Sequence, residues 1–68
     1  MMAMRRFQVR VEYFYGFVHF DTTVAVEGGG PKEAELNGIA LALAQVPAGY
    51  TGLPRHVRVI SIRETLLS

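Results

Sequence analysis

From Phe7 to Tyr15 the odd positions read Phe7, Val9, Val11, Tyr13, Tyr15 and the even ones Gln8, Arg10, Glu12 and then Phe14. This period of two predicts a strand with one buried face, over residues 6–15. From Val18 to Val26 the even positions are the apolar ones, Val18, Phe20, Val24 and Val26 broken by Thr22, alternating with His19, Asp21, Thr23 and Ala25. A second strand is therefore expected over 17–27. Gly16 lies between them and supplies the positive φ of a tight turn. With Tyr15-Gly16 as the two turn residues, Phe14 faces Phe17, and Tyr13, Val11, Val9 and Phe7 pair with Val18, Phe20, Thr22 and Val24. The polar face then sets Glu12 against His19 and Arg10 against Asp21. Moving one strand by two residues would set Glu12 against Asp21, a like-charge pair that cross-strand energetics disfavours, so the complementary register is expected.

Gly28, Gly29 and Gly30 end the hairpin, and Pro31 stands where a first helical residue belongs, with Glu33 and Glu35 near the positive helix end. The helix is expected over 31–46, stopped by Pro47. At about 100° per residue, Leu36, Ile39, Leu43 and Val46 form a stripe fit to cover the sheet. The other side carries Ala34, Gly38, Leu41 and Ala42 with little polar relief, and a helix apolar all round is usually covered all round. These four residues are expected to form a dimer interface, the small ones admitting a close backbone approach.

The stretch from Pro47 to Pro54 reads as an ordered turn anchored by Tyr50. A last strand is expected over 55–64, where the apolar phase changes from Val57 and Val59 to Ile60 and Ile62. That change implies a bulge near Val59 or burial of both faces. Thr65 to Ser68 should fray, with Leu66 and Leu67 seeking a partner. The third strand fits beside the first, antiparallel, making the first strand central. The fold class is α+β: a single domain with a three-stranded, mainly antiparallel sheet, one helix on one face, and ββαβ order.

Composition narrows the chemistry. The chain has 68 residues, 50% hydrophobic and 19% charged, which excludes low-hydrophobicity disorder and a second core. No cysteine is present, so disulfides and thiolate zinc sites are excluded, and His19 and His56 alone cannot complete a tetrahedral metal site. No metal or other cofactor is expected. Without such staples a chain of this size gains stability by association, again favouring a homodimer. The basic start, Met1 to Arg6, is not followed by a signal-peptide core, and no segment approaches the roughly 20 apolar residues of a membrane span. A soluble, cytoplasmic protein with no membrane partner is expected.

Catalytic constellations are lacking: serine occurs only at Ser61 and Ser68, and neither histidine joins a nucleophile–base motif, so the chain is not expected to be an enzyme. Glu12 with His19 reads as a polar pair on a sheet surface rather than an acid–base dyad. Gly28-Gly29-Gly30-Pro31-Lys32 fits neither phosphate-loop nor dinucleotide spacing and reads as linker and cap. Net charge is +1, too small for a chain that grips phosphate by charge alone. What remains is the open sheet face, where Arg6, Arg10, Phe14, Phe17 and Arg58 combine arginine and aromatic side chains as protein hot spots and base-stacking platforms do.

A hairpin, an alanine-rich helix opened by Pro31-Lys32-Glu33-Ala34-Glu35 and a terminal strand reading Val59-Ile60-Ser61-Ile62-Arg63-Glu64 together resemble small ββαβ proteins carried by phages and other mobile elements, some anti-CRISPR proteins among them. The resemblance implies a non-enzymatic inhibitor that occupies a surface of a larger host complex, one that handles nucleic acid. A phosphate mimic would be acidic, and this chain is not, so contact with a protein surface is expected. The alternatives are a small nucleic-acid-binding protein using Arg6, Arg10 and Arg58, and a structural subunit of an assembly.

Overall fold

The computed structural model describes residues 5–65. The elements are β1 (Arg5–Tyr15), β2 (Val18–Gly28), α1 (Pro31–Ala44) and β3 (Arg55–Thr65). The sheet order is β2-β1-β3, both pairings antiparallel, so β1 is central and the molecule is α+β with ββαβ order. Thr65, expected to fray, instead closes β3 opposite Arg6 with its hydroxyl donating to the Arg6 carbonyl at 3.2 Å, and the expectation for residues 66–68 falls outside the described residues.

The alternation along β1 decides the layers. Phe7, Val9, Val11 and Tyr13 are buried beneath α1 together with Val24 and Val26 of β2, and Ala34 and Ala42 close the core from the helix. Ile39, Leu43 and Val46 flank this core, as do Val59 and Ile62 from β3. Each strand has 11 residues, about 36 Å of chain, whereas the 14-residue helix spans about 21 Å. The hairpin end of the sheet therefore runs past the helix. There the loop before β3 folds over it, with Tyr50 meeting the Phe20 ring edge-on at 5.0 Å, the anchoring contact expected of it.

Two expectations are corrected. The turn is Gly16-Phe17, not Tyr15-Gly16: Tyr15 pairs with Val18, and Glu12 stands directly opposite Asp21. Gly16, at φ +61, occupies the first central position, where a type II′ turn requires glycine. This register pairs Tyr13 with Phe20, Val9 with Val24 and Phe7 with Val26, a better apolar match than the complementary-charge register offers. The Tyr13 and Phe20 rings stack at 5.3 Å. The two carboxylates escape their mutual repulsion through other partners: Asp21 reaches Arg10 along one diagonal, while Glu12 meets His19 along the other and Arg58 directly opposite on β3.

The helix is also turned relative to the expected stripe. Ala34, Gly38 and Ala42 face the sheet and are buried, while Leu36 is 63% exposed. The close backbone approach expected of a second copy is made instead by β1 of the same chain. The physical reason is complementary volume: β1 already fills the interlayer space with Phe7, Val9, Val11 and Tyr13, so the helix must present small residues. Leu41 alone of the expected interface stays exposed, at 37%. The helix ends at Ala44 rather than Val46, closed by the Gln45 N–H donating to the Ala42 carbonyl.

Candidate functional site: the open face of the sheet

The face of the sheet opposite α1 is built from the even residues of β1 and the residues paired with them. Across it run three rows: His19, Asp21, Thr23, Ala25 and Glu27 from β2; Arg6, Gln8, Arg10, Glu12 and Phe14 from β1; and Thr65, Arg63, Ser61, Arg58 and Arg55 from β3. The faces follow from strand alternation alone, which a two-residue shift of register leaves intact.

β3 reaches this face through two irregularities. Its register against β1 slips between Arg10 and Val11 and again between Glu12 and Phe14. The first slip leaves Ile60 as an extra residue between Ser61 and Val59, the bulge that the phase change near Val59 implies. The second lies at His56, whose φ of +54 is in the left-handed region. The two bulges place Ser61, Arg58 and Arg55 on one face although they are three residues apart, a separation that strict alternation would send to opposite faces.

The charges form a network of pairs. Arg10 grips Asp21 with a two-pronged contact, Nε to Oδ1 at 2.9 Å and Nη2 to Oδ2 at 2.6 Å. Glu12 is shared, one oxygen meeting His19 Nε2 at 3.0 Å and the other the Arg58 guanidinium. Hydrogen bonding from His19 and then from Arg58 holds the Glu12 carboxyl below its ordinary 4.5, against partial desolvation. Arg10 likewise holds Asp21 below its ordinary 3.8. A carboxylate so committed is a poor general base at neutral pH. Arg6 and Glu27 approach more loosely, at 3.8 Å, and Arg63 donates to the Gln8 side-chain oxygen at 3.1 Å. Among the described residues, Arg55 and Arg63 have no carboxylate partner within ion-pair distance.

At the hairpin end the face becomes aromatic. The Phe14 ring lies 4.9 Å from the His19 ring and meets the His56 ring edge-on at 6.1 Å. Phe14 therefore faces His19, and Phe17 is displaced into the turn, where its side chain is fully exposed. Near the middle of the face a shallow depression of about 420 Å³ is lined by Gln8, Arg10, Thr23, Ser61, Ile62 and Arg63.

Of the sequence-derived candidates, Arg6, Arg10, Phe14 and Arg58 share this face and Phe17 caps its end. Ala34, Gly38 and Ala42 belong to the interior. Arg55, His56 and Arg63 were missed. The phase change in β3 was the available signal for the first of the two bulges, which re-aim residues that strict alternation assigns to the other side.

The Gly29 N–H donates to the Glu33 carboxylate at 3.3 Å, placing negative charge where a phosphate would have to sit before α1. Among the described residues no cluster of three His, Asp or Glu side chains could hold a metal ion, and no helix is long and apolar enough to cross a membrane. No family model, curated protein or solved structure matches the chain.

Proposed function

We propose that this chain is a non-enzymatic protein-binding module that docks through the open sheet face and sterically blocks a surface of a larger, nucleic-acid-handling host complex. Phe17 carries the proposal: it is a fully exposed aromatic at the end of a face on which Arg10 and Arg58 are each held by a carboxylate and Arg6 more loosely by Glu27. A phosphate track needs unpaired cations along its length, whereas aromatic and arginine anchors amid charges of both signs suit a protein partner. Phe14 and the two histidine rings extend the apolar end, and Arg58, Arg10 and Arg6 continue the contact along β1 and β3.

The test is affinity capture from host lysate on the immobilised chain, with and without nuclease, comparing wild type with Phe17→Ala. A stoichiometric, nuclease-resistant protein that Phe17→Ala no longer retains supports the proposal. Capture that disappears with nuclease overturns it. A second reading, direct nucleic-acid binding, draws on Arg55 and Arg63, which lack carboxylate partners among the described residues. It requires single-stranded DNA or RNA to bind with steep salt dependence that weakens on replacing Arg55 and Arg63 as well as Arg6, Arg10 and Arg58.

A further inference from the structure

Both outer strands of the sheet are open edges, but they are unlike. The β3 edge carries two bulges and three arginines, the devices by which native sheets discourage strand addition. The β2 edge has no bulge and no arginine, its charges being Asp21 and Glu27. Over 11 residues it keeps one unbroken register with β1 and contains no proline, lysine or arginine.

Which backbone groups face outward follows from the hairpin. Tyr15 and Val18 close a two-residue turn and form a hydrogen-bonded pair, and such pairs alternate along an antiparallel ladder. The even residues of β2 thus bond to β1, and His19, Asp21, Thr23, Ala25 and Glu27 turn their N–H and C=O groups outward. An independent contact agrees: the Glu27 carbonyl accepts a hydrogen bond from Asn37 Nδ2 at 3.0 Å. That carbonyl retains a second lone pair.

We infer that the β2 edge is a self-association surface, occupied by β2 of a second copy running antiparallel across a two-fold axis at Thr23. Outward groups must meet outward groups, so the candidate registers differ by steps of two. Centring on Asp21 sets that carboxylate against its twin, and centring on Val24 sets Asp21 against Glu27. Centring on Thr22 gives neither charge a partner. Centring on Thr23 overlaps all 11 residues, sets His19 against Glu27 at both ends, Phe20 against Val26, and Thr23 against its twin. Glu27 is the carboxylate of the open face with the loosest ion pair, 3.8 Å from Arg6. The product is a six-stranded sheet with both helices on one side and the two open faces merged on the other.

Sedimentation equilibrium of wild type and Thr23→Pro tests this. The Thr23 N–H points outward, so proline removes an edge donor without taking a hydrogen bond from β1. Wild type should sediment at twice the 7.5 kDa chain mass and Thr23→Pro at the single-chain mass, with unchanged far-ultraviolet circular dichroism. A wild type that stays monomeric into the submillimolar range, or a folded Thr23→Pro dimer, overturns the inference. Should Thr23→Pro not fold, Thr23→Cys decides. In a chain without cysteine its thiol should be joined to its twin by a short bis-maleimide, whereas one at Arg63→Cys on β3 should not. A dimer in which Thr23→Cys is not joined places the interface elsewhere and overturns the assignment. None of these readouts involves the partner of the open face.

Discussion

Val9 occupies the space that a side chain at Gly38 would need: a Cβ built on Gly38 would lie 2.6 Å from Val9 Cγ1 and 2.7 Å from Val9 Cβ. The contact is between the middle of the central strand and the middle of the helix, so it sets the spacing of the two layers. Gly38 is costly in a helix by about 1 kcal/mol relative to alanine, and the closeness to Val9 explains why it is there.

Gly38→Ala is accordingly expected to destabilise the fold, since overpacking of roughly 1–3 kcal/mol outweighs the gain in helix propensity. Urea unfolding followed by circular dichroism measures it. The double variant Gly38→Ala with Val9→Ala should show strong coupling between the two sites. A more stable Gly38→Ala would mean that the layers are not spaced by this contact.

The position of Val9 against Gly38 also shows what the sequence could and could not reveal. Alternation in β1 and β2 locates both faces, and the phase change in β3 narrows that strand to a bulge near Val59 or burial of both faces, because these depend only on the period of the pleat; the second bulge, at His56, has no such signal. The helix has apolar residues on every side, so periodicity could not orient it. Taking Leu36 as a core residue rested on size, yet the sheet's own large side chains had left room only for Ala34, Gly38 and Ala42. The hairpin register failed for a related reason. Apolar pairing prevails over direct charge pairing, because diagonal contacts allow Arg10 to reach Asp21 and His19 to reach Glu12 with the carboxylates opposed.

Acid should weaken the fold. Glu12, Asp21 and Glu64 have folded-state values below their ordinary 4.5, 3.8 and 4.5, chiefly through hydrogen bonds from His19, Arg10 and Arg5 respectively. The folded chain thus binds these protons less readily than the unfolded chain does. Their contribution is complete above about pH 5 and is lost as pH falls through the depressed folded values. Urea midpoints measured from pH 7 downward should fall across this range, and Glu12→Gln should flatten the decline. A midpoint that rises on acidification contradicts the assignment.

His56 holds a left-handed conformation that most side chains resist, with φ +54. Replacing it with valine, whose branched Cβ is still less suited, should cost about 1–2 kcal/mol. His56→Gly should relieve backbone strain and offset most of the lost edge-on contact with Phe14. Thermal unfolding of the two variants should therefore separate them, glycine above valine. The reverse order would show that the ring contact outweighs the backbone.

Phe17 touches little of its own fold, so Phe17→Ala should shift stability by less than about 0.5 kcal/mol. Binding to the captured partner should nevertheless fall by tenfold or more, as truncation of an aromatic hot spot requires, on the order of 1.4–2 kcal/mol. Titration calorimetry and chemical unfolding on the same variant distinguish the two. Equal affinity for wild type and Phe17→Ala would remove the hairpin tip from the interface.

The sheet order carries a consequence for the chain's synthesis. β1 emerges from the ribosome first among the strands yet lies in the middle, and Val9 and Val11 meet Ile62 and Val59 only once β3 has been made. The hairpin and helix can close over one half of β1 beforehand, leaving its other edge bare. Final folding is therefore deferred until about residue 65 is free to move. A nascent chain stalled before that point should be protease-sensitive and prone to pair its open β1 edge with whatever strand it encounters.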